Sequence, residues 1–483
     1  MIDFDNIEKY RENNRIEAKK ALGGLPDSVW ETYSAFANSF GGVILLGVAE
    51  YDDKSLHPVN LPDPEDMVEE FRSILNDPGK VSVNILSDRN ISIHESGGKR
   101  FISIEVPRAG RSDRPVYIDG NPMTGTYRRN GEGDYRCTRA EVIAMTRDIS
   151  VKTQDMLVLE EMGFDVFDYS SIQRYRTMMK KSRPGHLWEE LDDADFLYKL
   201  GAVGKGRDGK MHPTAAGLLM FGYEYEIIKE YPYYFIDYQE QSCSDGIRTF
   251  RIASSSGDWS GNIYDFYLRV YDRIYQSMNI RSGSEVKPCV AVHKALCEAL
   301  ANCLVNADYY GRQGIVVINS GDSFCFSNPG GFRIDVEAAK NGGISDPRNS
   351  ALIRMFNMAD ISERTGSGIP NIFNEWKKQG WSAPEINESF EPERITLILK
   401  MKKCTEREAE QDTADFSEKS KTALYRETII SYLTENIYAQ DSELSSLMGI
   451  SVSHIRAILS EMLSNGIITA EDPGGERVYK LKI

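Results

Sequence analysis

The tightest constraint on the fold lies in residues 27–50, DSVWETYSAFANSFGGVILLGVAE. Val29, Trp30, Tyr33, Phe36, Ala37 and Phe40 recur at helical spacing, with Asp27 or Ser28 as the cap. Gly41-Gly42 ends that helix. VILLGVAE is a continuous apolar run of strand length, as expected of a strand buried on both faces. Upstream, RIEAK alternates and is compatible with a strand carrying Glu17 and Lys19 on one face and Ile16 and Ala18 on the other. Strand, helix, strand is a crossover unit, so the two strands are expected to run parallel. Glu50, ending the second strand, then falls near Glu17 on the first. With Glu12, three carboxylates would meet at one sheet edge. Clustered carboxylates repel and are stable mainly when they share a divalent cation or a proton. A carboxylate-held Mg²⁺ or Mn²⁺ activates water in phosphodiester cleavage, and Lys19 would steady the developing phosphorane charge. The plainer alternative is solvated surface charge.

A chain of 483 residues is too long for one ordinary core. The expected class is α/β multidomain (α+β), with boundaries near 150, 285 and 404 and domains at 1–150, 151–285, 286–403 and 424–483. Residues 404–423, CTEREAEQDTADFSEKSKTA, have almost nothing to bury and read as a linker. Seven cysteines with no C-x-x-C pair fit a reduced compartment, and six scattered histidines without a His/Cys cluster argue against a zinc site. No secretory signal opens the sequence, and VILLGVA is too short to cross a bilayer, so a cytoplasmic location without membrane contact is expected.

A net charge of −16 argues against nucleic-acid binding by the whole surface. Between Lys99 and Arg147, however, ten basic residues face six acidic ones. Arg108, Arg111, Arg114, Arg128 and Arg129 are therefore candidates for a phosphate-binding face. The alternative is that they pair with nearby acids or with other domains.

Farther on, KALCEALANCLVNADYYGRQG places Glu298, Asn302 and Asn306 at i, i+4 and i+8, on one helical stripe. Asn302 can ligate Mg²⁺ through its carbonyl oxygen and Glu298 can polarise water. INSGDSFCFSNPGG follows, then GISDPRNSALIRMF, then ISERTGSGIPNIFNEW. Gly366-Ser367-Gly368 opens a helix there, where glycines let backbone N–H groups approach a phosphate. There is no G-x-x-x-x-G-K-[ST], hence no P-loop motor.

ENNRIEAKKAL, VWETYSAFANSFGGVILLGVAE and TYRRNGEGDYRCTRAEVIAM together resemble the Schlafen AlbA-2 domain over about residues 8–147. The resemblance implies that Glu12, Glu17 and Glu50 are the three acids of a ribonuclease site that holds a divalent metal and cuts structured RNA such as tRNA. The third is often Asp in those relatives. The series from Glu298 to Gly368 resembles the divergent GHKL-type ATP-binding domain of RecG-related proteins, an α/β sandwich, over roughly residues 155–400. It implies Glu298 as general base and Asn302 as Mg²⁺ ligand. Asn328, Gly330 and Gly331 would lie near the adenine, Arg348 and Asn349 in the lid, and Gly366 and Gly368 in the phosphate loop. Asn306, Asp308, Arg364 and Ser367 complete the expected ATP site. Asn306-Ala307-Asp308-Tyr309 stands where relatives carry His-Arg-Asp-Tyr.

After the linker, RETIISYLTEN, DSELSSLMG, SVSHIRAILSEMLSNG and IITAEDPGGERVYKLKI read as three helices and a hairpin, a winged helix-turn-helix. Ser451, Ser453, His454 and Arg456 would face a DNA major groove, with Arg477 near the wing, or the domain would serve dimerisation or docking. The leading expectation is a homo-oligomeric, nucleotide-gated nucleic-acid effector that binds ATP with Mg²⁺ or Mn²⁺, carries a metal-dependent ribonuclease or weak ATPase activity, and acts in antiviral (phage) defence. The rival is an ATP-responsive DNA-binding transcription regulator without nuclease activity.

Overall fold

The computed structural model describes residues 2–241, 248–281, 290–361, 366–390, 392–402, 429, 433, 438–448, 452–464, 468–471 and 478–481. Contacts divide the chain into two compact units. One holds residues 1–375 and 384–399, the other residues 376–383 and 400–483. The class is mixed α/β, as expected. No helix among the described residues is long and apolar enough to cross a membrane.

The first unit opens with the expected crossover. Strand β1 (Ile16–Lys19) runs parallel to β2 (Gly42–Leu46), with Glu17 opposite Ile44. The helix Ser28–Ala37 between them buries Val29, Trp30, Tyr33 and Phe36. Trp30 stacks on Phe71 with ring centroids 4.9 Å apart. The helix stops at Asn38, three residues before the glycine pair, because Asn38 is spent on tertiary bonds. Its Nδ2 donates to the carbonyls of Val116 (2.7 Å) and Tyr127 (3.1 Å), and its Oδ1 accepts from Val116 N.

VILLGVAE is not one strand. Gly47, at φ +83°, breaks it into β2 and β3 (Val48–Glu50), and a Cβ there would lie 2.5 Å from Leu61 Cγ. β3 leaves the first sheet and pairs with β4 (Leu56–Pro58). With β5 (Ile91–Ser96) and β6 (Lys99–Val106), the first sheet has the order β1-β2-β6-β5. A hairpin of β7 (Tyr127–Asn130) and β8 (Gly133–Arg136) packs beside the first helix.

A helical segment follows, interrupted by the small hairpin β9 (Val203–Lys205) and β10 (Met211–Pro213). Then comes a six-stranded mixed sheet built from β11 (Ile236–Gln241), β12 (Arg248–Ala253), β13 (Ile315–Asn319), β14 (Ser323–Pro329), β15 (Glu385–Phe390) and β16 (Glu393–Lys400), in the order β12-β11-β13-β14-β16-β15. The helix Val290–Asn306 packs on β14. Buried Asp155 accepts from the backbone N–H groups of Ala351 (2.8 Å) and Leu352 (2.9 Å), capping the helix Ser350–Met358 from a distant part of the chain. A carboxylate at a helix N-terminus contributes about 1 kcal/mol.

In the second unit, the described residues include helices Asp441–Met448 and Val452–Ser464 and a three-stranded sheet formed by Ala439–Gln440, Val478–Leu481 and Ile468–Glu471. Leu444, Ile455, Leu459, Met462 and Tyr479 share its core. The linker of residues 404–423 falls outside the described residues, as do Ser451, Arg477 and Arg364, and the side chains of Ser453 and His454.

Candidate functional site

The helix Val290–Asn306 buries Leu296, Leu300, Leu304 and Val305 completely, so its polar stripe must turn the other way. Glu298, Asn302 and Asn306 all line a cleft of about 1080 Å³, part of it open to solvent. Phe326 on β14, Ile386 on β15, and Ile395 and Leu397 on β16 make an apolar floor beside Asn328, and the segment from Gly331 to Arg348, which carries the short helix Val336–Asn341, makes the far wall.

The stripe is internally ordered. Asn302 Nδ2 donates to Glu298 Oε1 at 3.4 Å, and Asn306 Nδ2 to the carbonyl of Asn302 at 3.0 Å. Gly366 and Gly368 complete the rim. A Cβ on Gly368 would lie 2.4 Å from Glu298 Oε1 and 2.8 Å from Asn302 Nδ2. The start of the helix Gly368–Lys378 thus faces the acid–amide stripe at backbone contact, the arrangement in which amide donors and helix dipole suit a phosphate.

Several expected nucleotide residues sit differently. Arg348 lines the cleft but is no mobile lid residue: it is buried and donates to Asp148 Oδ1, to the Asn306 carbonyl (3.2 Å) and to the Gly331 carbonyl (2.9 Å). Asn349 lies off the cleft. It donates to the carbonyls of Val305 (3.0 Å) and Ala307 (2.8 Å), closing the C-terminal end of the stripe helix. Those carbonyls have no helical donor of their own, which is why an amide side chain is held there. Asp308 also faces away from the cleft, into a smaller recess, bonded to Arg147 at 2.9 Å. Gly331 is on the lining, whereas Gly330 backs it through a bond from its N–H to the Glu393 carbonyl.

In the acidic site, Glu12 Oε1 accepts from Ala18 N at 2.9 Å. Glu17 bonds Lys19 Nζ through one oxygen (2.9 Å) and Arg129 Nη2 through the other (2.8 Å). Glu50 Oε2 pairs with Lys54 Nζ at 3.1 Å, while its Oε1 is buried with no hydrogen-bond partner. The three acids are electrostatic neighbours. Burial raises the Glu12 pKa, the Ala18 amide opposes that shift, and the charges of Glu17 and Glu50 reinforce it. Yet among the described residues no three His, Cys, Asp or Glu side chains are grouped so as to hold a metal ion. A desolvated carboxylate oxygen without a donor, as on Glu50, fits a cation. Glu17, as it stands, is already neutralised by two cations from its own chain.

The arginine-rich segment is not a free positive face. Arg108 makes a two-pronged pair with Glu388 (2.6 and 2.9 Å), Arg111 reaches Asp346 (2.8 Å), and Arg128 bonds Glu393 (2.9 Å). Arg129 holds Glu17 and Asp134, and Arg114 is buried, which lowers its pKa to about 10. Of these five, three are tied to acids around the cleft. Sequence reasoning missed Glu388, Glu393, Asp148 and Asp346; alternation in EINESF and EPERITL was the only signal for the two glutamates, and nothing local names a partner far along the chain. In the second unit, Arg456 is largely exposed and bonds Asp441 at 2.5 Å.

With this geometry in place, comparison with known proteins gives three family matches. Residues 12–138 match "Schlafen, AlbA_2", residues 143–237 a domain of unknown function (DUF8451), and residues 313–399 "Putative ATP-dependent DNA helicase recG C-terminal". The first domain is of the Schlafen AlbA_2 type. The acidic site lies at its edge, and the recG-type match covers the floor and far wall of the cleft. No curated protein matches the chain. Among solved structures, the DIP2311 protein of Corynebacterium diphtheriae is 16% identical, covering 97% of this chain and 92% of that one at a TM-score of 0.41. The N-terminal domain of a RecG-related protein from Nitrosomonas europaea is 33% identical, covering 28% of this chain and 90% of that one at a TM-score of 0.22.

Proposed function

We propose that this protein is a nucleotide-gated nucleic-acid effector that binds ATP with Mg²⁺ in the cleft. The Schlafen AlbA_2 and recG-type matches support a nucleic-acid-related, ATP-binding protein. The observation that carries the reading is the apposition of Glu298 and Asn302 to Gly368 at the rim of a cleft with an apolar floor. In this reading Asn302 supplies a carbonyl oxygen to Mg²⁺, Glu298 takes a proton from attacking water if ATP is hydrolysed, and the amides after Gly366 receive phosphate oxygens. Asn328 lies at the base end of the pocket.

The effector is the acidic site, acting on RNA. Glu12, Glu17 and Glu50 would hold a Mg²⁺ or Mn²⁺ ion, which when bound supplies an activated water for phosphodiester cleavage. For that, Glu17 must be released from Lys19 or Arg129. Antiviral defence is the proposed setting, and assembly into a homo-oligomer and DNA contact through the second unit belong to the same proposal.

The test is to incubate purified protein with tRNA and Mn²⁺, with and without ATP, beside the Glu17→Ala variant. Metal-dependent cutting abolished by the substitution supports the reading. The engagement of Glu17 by two cations favours one alternative, an ATP-responsive DNA-binding regulator. Nucleotide binding with no cutting under any metal, together with a footprint on DNA, would establish that alternative instead.

A further inference from the structure

Two neighbouring residues of β7 reach in opposite directions. In a strand, successive side chains point to opposite faces. Arg129 goes to the acidic site: its Nη2 bonds Glu17 Oε2 (2.8 Å) and the Asn13 carbonyl (3.0 Å), and its Nη1 bonds Asp134 (3.0 Å). Arg128 goes the other way, to Glu393 Oε2 at 2.9 Å, with its guanidinium 4.6 Å over the Phe390 ring. Both side chains are almost fully buried, at 6% and 1% exposure, so neither can reorient without moving its neighbours.

Glu393 does not end the path. Its Oε1 accepts from Gly331 N at 3.0 Å, and Glu388 Oε1 accepts from Phe332 N at 2.8 Å while bonded to Arg108. Gly331 and Phe332 form part of the cleft wall. Charge-assisted bonds therefore run from the wall through Glu393 to Arg128, which also bonds Glu141 Oε1 at 3.3 Å, and, beyond the covalent backbone of β7, from Arg129 to Glu17. Such bonds are short and directional, and a buried pair broken on one side leaves an uncompensated charge. The strand itself is fixed from behind: Ser39 Oγ accepts from Arg129 N, and Ser34 Oγ from Tyr127 N.

We propose that the Arg128–Arg129 pair is the strut through which occupancy of the nucleotide cleft controls how firmly Glu17 is held in the acidic site. The proposal rests on the cleft being a nucleotide site. A ligand that shifts the Gly331–Phe332 wall pulls Glu393 and Arg128, and β7 carries the displacement to Arg129. Glu17 is the acid whose two oxygens are both taken, so it is the one such a movement can release.

Hydrogen exchange tests this without any assay of activity. The probe is the non-hydrolysable analogue AMP-PNP with Mg²⁺, added to the full chain and to the Arg128→Gln and Glu393→Gln variants. Two segments are read: residues 296–306 for the cleft and residues 13–19 for the acidic site. In the unaltered protein the cleft segment becomes protected and exchange over 13–19 changes about fivefold or more, the lower end of ordinary coupling between sites. In both variants the cleft stays protected and the change over 13–19 falls below about twofold. A response over 13–19 in both variants equal to that of the unaltered protein would overturn the strut. So would a protected cleft with no response over 13–19 in the unaltered protein. Loss of cleft protection in both variants also counts against it, since neither side chain lines the cleft. No cleft protection in the unaltered protein would remove the nucleotide reading, and the strut with it.

Discussion

In the cleft, Glu298, Asn302 and Asn306 face about 1080 Å³ of space over an apolar floor. In the acidic site, Glu17 has both carboxylate oxygens occupied by Lys19 and Arg129, and only Glu50 keeps a buried oxygen without a partner. Both sites lie in one compact unit, but one is a preformed stripe of acid and amide groups and the other a set of carboxylates on separate segments, with Glu17 closed by its own cations. A preformed site binds without reorganisation, whereas a closed one must first break bonds worth about 1.5–3 kcal/mol each. The difference teaches that the acidic site is the dependent partner. What opens it has to come from elsewhere in the fold, and the arginines between the sites are the connected route.

The comparison breaks first at the connection. Arg128→Ala leaves the half-buried Glu393 without its guanidinium partner and is expected to cost about 3 kcal/mol in urea unfolding of the full chain. A loss below 1 kcal/mol would mean that the two regions are joined by apolar packing alone. Next, Glu17→Ala is expected to reduce Mn²⁺-dependent RNA cleavage about 100-fold or more while ATP affinity, measured by calorimetry, stays within about twofold. Equal loss of both would erase the distinction between the sites. Asn302→Ala is expected to weaken Mg²⁺–ATP binding about 10- to 100-fold, the loss of roughly 1.5–3 kcal/mol from an interaction with a charged ligand.

A smaller effect separates the sites by pH. Burial and the charges of Glu17 and Glu50 raise the Glu12 pKa, so its ionisation opposes folding. That penalty is absent below the unfolded-state value and grows as pH rises through the folded one. Glu12→Gln is therefore expected to raise the melting temperature slightly at pH 7.5, by about 1–3 °C, with the gain vanishing near pH 4. A gain that persists in acid would place its cause in packing. Smallest of all, Arg456→Ala in the second unit is expected to leave the urea-unfolding midpoint of the full chain unchanged, because the arginine end of its pair with Asp441 is largely exposed to solvent.

How legible all this was varies by element. The crossover of β1, the Ser28–Ala37 helix and β2 could be read directly, because apolar spacing is a local signal, but the helix end at Asn38 rather than at the glycine pair could not. The stripe on the helix Val290–Asn306 was legible for the same reason, since three polar positions at i, i+4 and i+8 on an apolar helix must share a face. The break at Gly47 was not, because an apolar run looks the same whether one strand or two. The C-terminal-cap role of Asn349 and the reach of Asp155 to a helix start lay outside any local pattern.

The sequence by itself determined which side chains belong together along each element, since helix and strand periods follow from backbone geometry alone. It also determined that acids, amides and glycines of two distinct chemical kinds were present at fixed spacings. Only the tertiary structure decided what each charge would meet. Arg128 and Glu393 are 265 positions apart and pair because the fold brings β7 beside Phe390 and Glu393, and no propensity or period encodes a contact at that range. That is why an arginine-rich stretch that read either as a surface for phosphates or as partners for acids elsewhere became the interior bracing between the two sites.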